Sequence, residues 1–277
     1  MKTPSAFLFT PSISLLPSLR HGLQTKSNDP LGTMISSRKI SWENRLNDRF
    51  SFTSCCCYES YSDSVEYEEG DDSEAISQFG TFQYWDDMYV GMGDFPQDEY
   101  SWYFGWEVIK PFFKEYVPVG GGKDKDNNPR ILVPGVGNDP ILLDLLGDGY
   151  KELTAFDYTK NAIDRQHDLL SYKPDMLDYV TLRVMDARKL DDDWKENKFC
   201  AVIEKGALDA IYLSGEGNVE KAVSEMKQVV KSGGIFMSVS GVVPEELRRQ
   251  LFNTDDWEWV RDGSDDLKAG CFIFRRK

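Results

Sequence analysis

Two glycines follow an apolar run in the stretch ILVPGVGND, residues 131–139. Glycine adopts backbone conformations that other residues avoid, and it lets a ligand approach the main chain closely. A buried strand that ends in such a turn, with a helix after it, can bind a phosphate, a dinucleotide or a nucleoside at the free N–H groups of the helix. Gly135 and Gly137 are therefore candidate ligand-binding residues, and a plain tight turn is the alternative.

Two acids stand at the ends of the next predicted strands. Asp157 ends the strand LTAFD, 22 residues after Gly135, a spacing at which a carboxylate typically accepts hydrogen bonds from ribose hydroxyls. Asp186 ends the strand YVTLRVMD and precedes Ala187. The ribose-binding acid suits NAD and S-adenosylmethionine equally.

Three features favour S-adenosylmethionine over NAD. The Tyr-x-x-x-Lys pair of many dehydrogenases does not occur in the sequence. Asp186-Ala187-Arg188 stands where methyltransferases place an acid and a main-chain N–H at the edge of the adenine. Pro140 occupies the position of the last glycine in the dinucleotide-binding pattern.

Strand and helix patterns alternate from Arg130 onward, which predicts an α/β fold. We expect a doubly wound, mostly parallel seven-stranded sheet with helices on both faces, and an antiparallel C-terminal hairpin. Ligands of such sheets bind at the carboxyl ends of the strands. The predicted strands are 130–135, 153–157, 179–186, 199–204, 235–239, 257–260 and 271–275. The predicted helices are 140–146, 160–170 and 219–230, the last ended by Lys231 and the pair Gly233-Gly234.

Composition limits the possible functions. The net charge of −15 argues against nucleic acid as the main partner, and the sequence contains no apolar run of the roughly 18 residues that a membrane helix needs. There are five cysteines and two histidines. They show no CxxC pair and no zinc-site spacing, so we expect neither a metal site nor a Ser-His or Cys-His hydrolase.

The first part of the chain differs from the rest. Residues 1–54 carry seven basic and three acidic residues and are rich in serine and threonine, which is typical of a transit peptide. Prolines interrupt any amphipathic helix and favour a chloroplast over a mitochondrial or cytoplasmic location, and a disordered tail is the alternative. Residues 55–77 read as an acidic linker, residues 78–129 as an N-terminal lid segment and loop, and residues 130–277 as the Rossmann-like core.

Four stretches, VPGVGND, FDY, MDARKL and VIEKGALDA, occur in an order and spacing that resemble class I S-adenosylmethionine-dependent methyltransferases. With YWDDMY (84–89) and YSWYFGW (100–106), they are similar to the group that contains eukaryotic elongation factor 1A lysine methyltransferase 4 and methyltransferase-like protein 13. The resemblance extends from about residue 78 to the C-terminus.

The resemblance implies a set of cofactor contacts. These are Trp85, Tyr89 and Trp102 as a lid over the methionine end, Gly135 with Gly137 beneath the cofactor, Asp157 at the ribose, Tyr158, Asp186 and Ala187 at the adenine, and Lys205 near the methionine moiety or the transfer site. Two residues depart from the pattern of the group. Val136 replaces a small polar residue or cysteine, and Pro134 removes a main-chain donor.

Methyl transfer to a lysine requires an amine that has lost its proton. Glu204 and Asp209 are the candidates for holding or orienting that amine. A protein lysine in a basic segment is the expected acceptor, because an acidic surface attracts such a segment. Three alternatives remain: a small-molecule methyltransferase of the plastid, a non-catalytic protein that binds S-adenosylmethionine, and an NAD-linked oxidoreductase. The oligomeric state has no sequence signal.

Overall fold

The computed structural model describes residues 72–120, 128–196, 198–264 and 269–277. All of them belong to one compact unit, residues 64–277. The predicted leader, residues 1–54, lies outside the described residues. Two short 3-10 helices, Asp72–Glu74 and Gln78–Gly80, begin the described part. The main chain of Ile76 bonds to Leu213, so packed structure begins before the predicted domain start at residue 78.

Seven strands and eight α-helices follow. The strands are β1 (Arg130–Pro134), β2 (Glu152–Asp157), β3 (Val180–Val184), β4 (Phe199–Lys205), β5 (Val230–Ser240), β6 (Trp257–Arg261) and β7 (Gly270–Arg276). The helices are α1 (Phe82–Tyr89), α2 (Trp106–Tyr116), α3 (Ile141–Gly147), α4 (Lys160–Ser171), α5 (Asp192–Glu196), α6 (Ala207–Leu213), α7 (Asn218–Val229) and α8 (Glu245–Phe252). A third 3-10 helix, Pro174–Tyr179, precedes β3.

The strands form one sheet in the order β3-β2-β1-β4-β5-β7-β6. The first five strands in this order are parallel, and β7 runs antiparallel to both β5 and β6. The predicted seven-stranded sheet with an antiparallel C-terminal pair is confirmed. The carboxyl ends of β1, β2, β3 and β4 therefore lie along one edge, where ligands of such sheets bind.

Both faces of the sheet are covered, which explains why the central strands are continuously apolar. Ile131 and Val133 of β1 pack in a buried cluster with residues of α2 and α3, whereas Leu132 faces the opposite cluster with residues of α7. The N-terminal segment packs separately. Tyr89 of α1 and Ala162 of α4 form a third small cluster with neighbouring aromatic residues. This cluster holds the N-terminal segment beside the end of β2, because α4 follows that strand.

The main difference from the predicted elements concerns the passage from α7 to β5. The predicted glycine cap after Val230 is wrong, because α7 ends at Val229 and β5 begins at once. Val230 pairs with Phe199 and Ile235 with Ala201, so the intervening residues, including Gly233, form an irregularity within the strand. The other two predicted helices begin and end within one residue of α3 and α4, and the predicted β3 ran too far at both ends.

A buried carboxyl lies in the sheet between β4 and β5. Glu204 pairs across the strands with Ser238 and is fully buried. Its carboxyl oxygens accept hydrogen bonds from the Ser238 hydroxyl and from the Leu208 main-chain N–H. Burial raises the pKa of Glu204 to about 8, because a charged carboxylate loses its hydration there. Glu204 is therefore mostly protonated at neutral pH.

We expect Gly135→Ala to destabilise the protein by about 2–4 kcal/mol. Gly135 has φ +58°, and an added Cβ would lie 2.6 Å from the Cβ of Ala207. Urea unfolding measures the change. Gly147→Ala is the control, because Gly147 ends α3 with nothing within 4 Å of an added Cβ, and alanine is the better helix residue. Equal stabilities of the two variants would contradict this account of the turn.

We expect Glu204→Gln to flatten the dependence of stability on pH. A folded pKa of about 8, above the usual value, means that the folded state holds the proton longer, so wild-type stability falls as pH rises toward 8. The free energy of unfolding of the wild type should fall by on the order of 1 kcal/mol per pH unit. Urea unfolding between pH 6.5 and 8 measures it, with the exposed Glu220→Gln as control. Parallel curves for wild type and Glu204→Gln would show that burial does not perturb this carboxyl.

Candidate functional site

A pocket of about 330 Å³ opens at the carboxyl ends of the parallel strands. Its floor comes from Gly135 after β1, Asp157 at the end of β2, Asp186 and Ala187 after β3, and Lys205 at the end of β4. These residues are far apart in sequence and meet because parallel strands end at the same edge of the sheet. The site predicted from the strand ends is thus one cavity.

Aromatic side chains from the N-terminal segment form one wall of the pocket. The ring centroids of Trp85 and Trp102 are 5.5 Å apart in an edge arrangement, and Phe79 packs against Trp102 at 6.3 Å. The Trp85 indole N–H donates to the Phe79 carbonyl at 2.8 Å. Phe82 and Tyr103 complete this wall. Trp85 and Trp102 therefore line the pocket, and their predicted role as a lid over the methionine end stays a prediction. Phe79, Phe82 and Tyr103 were missed.

The glycine turn is fixed by the acid of the next strand. The main-chain N–H of Gly137 donates to Asp157 Oδ2 at 3.0 Å. Thr159 donates its main-chain N–H and its hydroxyl to Oδ1 at 3.1 and 3.2 Å. Asp157 is buried, and burial raises its pKa to about 6. At neutral pH the group is mainly a carboxylate, held by the turn and by the start of α4 at the pocket wall.

Tyr89 and Gly137 do not line this main pocket. Tyr89 is buried behind the turn, and a Cβ added at Gly137 would lie 2.6 Å from its hydroxyl oxygen. Gly137 lines a neighbouring cavity of about 20 Å³ together with Lys205. Tyr89 therefore supports the glycine turn from below, and its predicted place in a lid over the cofactor stays a prediction.

An ion pair occupies the end of the pocket beyond β3. The guanidinium of Arg188 chelates Asp186, with Nη2 at 2.6 Å from Oδ2 and Nε at 3.0 and 2.9 Å from the two oxygens. Tyr158 donates its hydroxyl to the Thr81 carbonyl at 3.1 Å. Tyr158, Asp186 and Ala187 line the pocket together. Arg188 also lines it, and only its position in the MDARKL stretch pointed to it.

A second ion pair joins the end of β4 to the glycine turn. Lys205 Nζ lies 2.6 Å from Asp139 Oδ2, and only 5% and 11% of the two side chains are exposed. An opposite charge at this distance satisfies a buried ammonium that would otherwise be costly. Lys205 lines the main pocket. Its predicted place near the methionine moiety or the transfer site stays a prediction. Its partner Asp139 was missed, although the residue stands in the ILVPGVGND stretch.

The two acids proposed for catalysis have different surroundings. Glu204 does not line the pocket, because it is fully buried between the strands. Asp209 lines the pocket, yet its two oxygens accept five hydrogen bonds. The donors are the Tyr103 hydroxyl, the Ser240 hydroxyl and the N–H groups of Gly241, Val242 and Val243. A carboxylate offers about four lone-pair sites, so Asp209 has no capacity left for an amine.

Among the described residues, no group of three histidine, cysteine, aspartate or glutamate side chains could hold a metal ion. In the same part of the chain, no helix combines the length and the apolar character needed to cross a membrane.

The pocket suits S-adenosylmethionine by its chemistry. The carboxylate of Asp157 lines the pocket, and apolar surface at Phe156 and Ala187 borders it. Aromatic rings such as Trp85 and Trp102 can contact a sulfonium through cation–π attraction. The residues present therefore fit a nucleoside that carries a cationic tail.

Comparisons with known proteins agree with this reading. A family model described as "Methyltransferase domain" matches residues 132–238. The mouse "EEF1A lysine methyltransferase 4" is 27% identical over 65% of this chain and 69% of its own length. The yeast (Saccharomyces cerevisiae) "Protein-lysine N-methyltransferase EFM4" is 24% identical over 68% of this chain and 87% of its own length. For the bovine methyltransferase 4, the match spans 61% of that protein, less than two thirds.

Solved structures show the fold. The glycopeptide N-methyltransferase MtfA, complexed with S-adenosyl-L-homocysteine, superposes with a TM-score of 0.50 at 12% identity, over 64% of this chain and 92% of that one. A structure titled for the conversion of a disulfide bond into a thioacetal group during echinomycin biosynthesis gives 0.51 at 15% identity, over 70% and 92%. The strand-end pocket and the matched domain together show that the chain contains an S-adenosylmethionine-dependent methyltransferase domain.

Proposed function

We propose that this methyltransferase acts on a lysine side chain of a protein. One observation carries the proposal. The match to the mouse enzyme covers 65% of the chain, well beyond the common core at residues 132–238. The similarity therefore extends outside the region that methyltransferases of many kinds share. The names of the mouse and yeast relatives both describe lysine methylation.

The pocket supplies the conditions that a lysine amine needs. Held at Asp157, Asp186 and Ala187, S-adenosylmethionine would supply an electrophilic methyl group on a sulfonium, so that transfer to a neutral amine would give a methylammonium and a thioether. The amine must first lose a proton, because the usual lysine pKa is about 10.4. Removal from water lowers that pKa. Trp102 and Tyr103 contribute aromatic surface to the pocket wall, which reduces the hydration of an amine that lies against them.

Charge supports a basic protein segment as the acceptor. The chain carries a net charge of −15, and such an excess accelerates association with a positively charged partner. We propose a plastid location on the composition of residues 1–54. The acceptor is then a plastid protein. If the leader-like segment does not direct the chain to plastids, the elongation factor named for the relatives becomes the first candidate.

We expect the full chain to transfer a tritiated methyl group to protein lysine. Purified eukaryotic elongation factor 1A, a plastid protein extract and a cytosolic extract are each incubated with labelled S-adenosylmethionine. Acid hydrolysis and chromatography then measure label in N-methyl-lysine. Asp157→Asn, which is expected to bind the cofactor more weakly, serves as the control with reduced transfer. Label found only in small molecules would replace the proposal with a small-molecule methyltransferase, and binding without any transfer would leave a cofactor-binding protein.

We expect the affinity for 5′-methylthioadenosine to fall as pH drops below about 6, the pKa of Asp157. This ligand keeps the ribose and the adenine and lacks the titratable amino-acid end. A protonated carboxyl accepts weaker hydrogen bonds than a carboxylate. Calorimetry on Asp157→Asn should show binding weaker by about tenfold and independent of pH, with Asp164→Asn on the exposed face of α4 as control. The same pH dependence in Asp157→Asn would assign the ribose to another group.

A further inference from the structure

Tyr103 has an unusual backbone conformation at the pocket wall. Its φ is +62°, and within the described residues it is the single non-glycine residue with positive φ. Such a conformation is costly for a bulky residue and persists only where the surroundings hold it. Phe104 N–H donates to the Trp102 carbonyl at 2.8 Å across this turn.

The side chain of Tyr103 spans two distant parts of the chain. A Cβ added at Gly206 would lie 3.4 Å from the Tyr103 ring, so the ring lies over the turn between β4 and α6. Its hydroxyl donates to Asp209 Oδ2 at 2.5 Å. Tyr103, Gly206 and Asp209 all line the main pocket. Tyr103 therefore lies at the pocket wall, and the hydrogen bond to Asp209 fixes the position of its hydroxyl oxygen.

Asp209 is held from several sides. Ser240 donates its hydroxyl to Oδ1 at 2.6 Å, and the N–H groups of Val242 and Val243 donate to the same oxygen at 3.1 and 2.9 Å. Arg248 supports this arrangement by donating to Ser240 Oγ at 3.0 Å and to the Val243 carbonyl at 2.8 Å. These hydrogen bonds hold the Asp209 carboxylate in one position and occupy all of its lone-pair sites.

The Tyr103 hydroxyl oxygen can accept a further hydrogen bond, whereas the Asp209 carboxylate cannot. A phenol donates one proton and keeps lone pairs that can accept hydrogen bonds. At Tyr103 the Gly241 main-chain N–H, which also donates to Asp209, approaches one lone pair, and the other can accept a further hydrogen bond. Here the proton is committed to a carboxylate, and such a charge-assisted bond makes the oxygen a better acceptor. Burial and the charge of Asp209 raise the pKa of Tyr103. The hydroxyl therefore stays protonated and acts as an acceptor of hydrogen bonds, not as a base.

We propose that the hydroxyl oxygen of Tyr103 binds the methyl-acceptor nitrogen by accepting a hydrogen bond from its N–H, and that Asp209 positions this hydroxyl. The proposal rests on the proposed function in taking an amine as the acceptor. A neutral amine that donates N–H to Tyr103 keeps its own lone pair free for the methyl carbon. The Tyr103 hydroxyl proton is donated to Asp209. It therefore does not form a hydrogen bond to the amine lone pair, which stays free to attack the methyl carbon.

Binding of model cations to the full-length protein saturated with S-adenosylhomocysteine tests the proposal without any protein acceptor. The probes are n-butylammonium, which has N–H donors and a lysine-like chain, and tetramethylammonium, which has the charge and no N–H. NMR titration compares wild type, Tyr103→Phe and Tyr116→Phe, a matched variant on α2 outside the pocket. We expect Tyr103→Phe to weaken n-butylammonium binding by about tenfold. Tetramethylammonium and S-adenosylhomocysteine affinities should stay within about twofold of wild type, since neither depends on this hydrogen bond.

Other outcomes would overturn the proposal. No binding of n-butylammonium to the wild type, or equal binding to Tyr103→Phe, would show that Tyr103 does not hold an amine. A parallel loss of S-adenosylhomocysteine affinity or of melting temperature would make Tyr103 a purely structural residue. Failure of the proposed function is recognised separately. In that case the discrimination between the two cations persists while no label enters protein lysine.

Discussion

One carboxylate joins the parts of the molecule that enclose the pocket. Asp209 stands in the first turn of α6 and accepts hydrogen bonds from Tyr103 in the N-terminal segment and from the chain that follows β5. These segments are separated by more than 100 positions in sequence, and they meet at a single buried side chain. Each donor alone stabilises little. Their convergence gives the wall of the pocket one arrangement, because a buried carboxylate left without donors would be very costly.

The floor of the pocket obeys a different constraint. Parallel strands must end at one edge, so the residue that follows each strand contributes to a common surface. This is why Asp157 and Asp186 could be assigned to one site from their positions in the sequence, and the resemblance to methyltransferases added Lys205. Their order along the sheet follows from the topology, with Asp186 at one end and Lys205 beyond the glycine turn. The two ion pairs, Asp186 with Arg188 and Asp139 with Lys205, then limit how these charges face the cavity.

Sequence patterns predicted the strands well because the central strands are buried on both faces and read as continuous apolar runs. The same patterns gave wrong or incomplete predictions where contacts between distant parts of the chain determine the local structure. The glycine pair after α7 resembled a helix cap, yet pairing of β5 with β4 extends the strand through it. Glu204 looked like a strand-end acid near the site, and its burial against Ser238 has no sequence signal. Tyr103 was hidden among other aromatic residues, since only its backbone conformation distinguishes it.

The position of β7 between β5 and β6 has a consequence for how the molecule is assembled. The five parallel strands are contiguous in the sheet and come first in the chain, so they can pair as the chain emerges during synthesis. One edge of β5 then stays open, because β6 does not pair with it directly. An unpaired edge invites pairing with other chains. Until β7 has been synthesised, Phe236 and its neighbours lack their partner strand, and pairing with β7 then covers this edge.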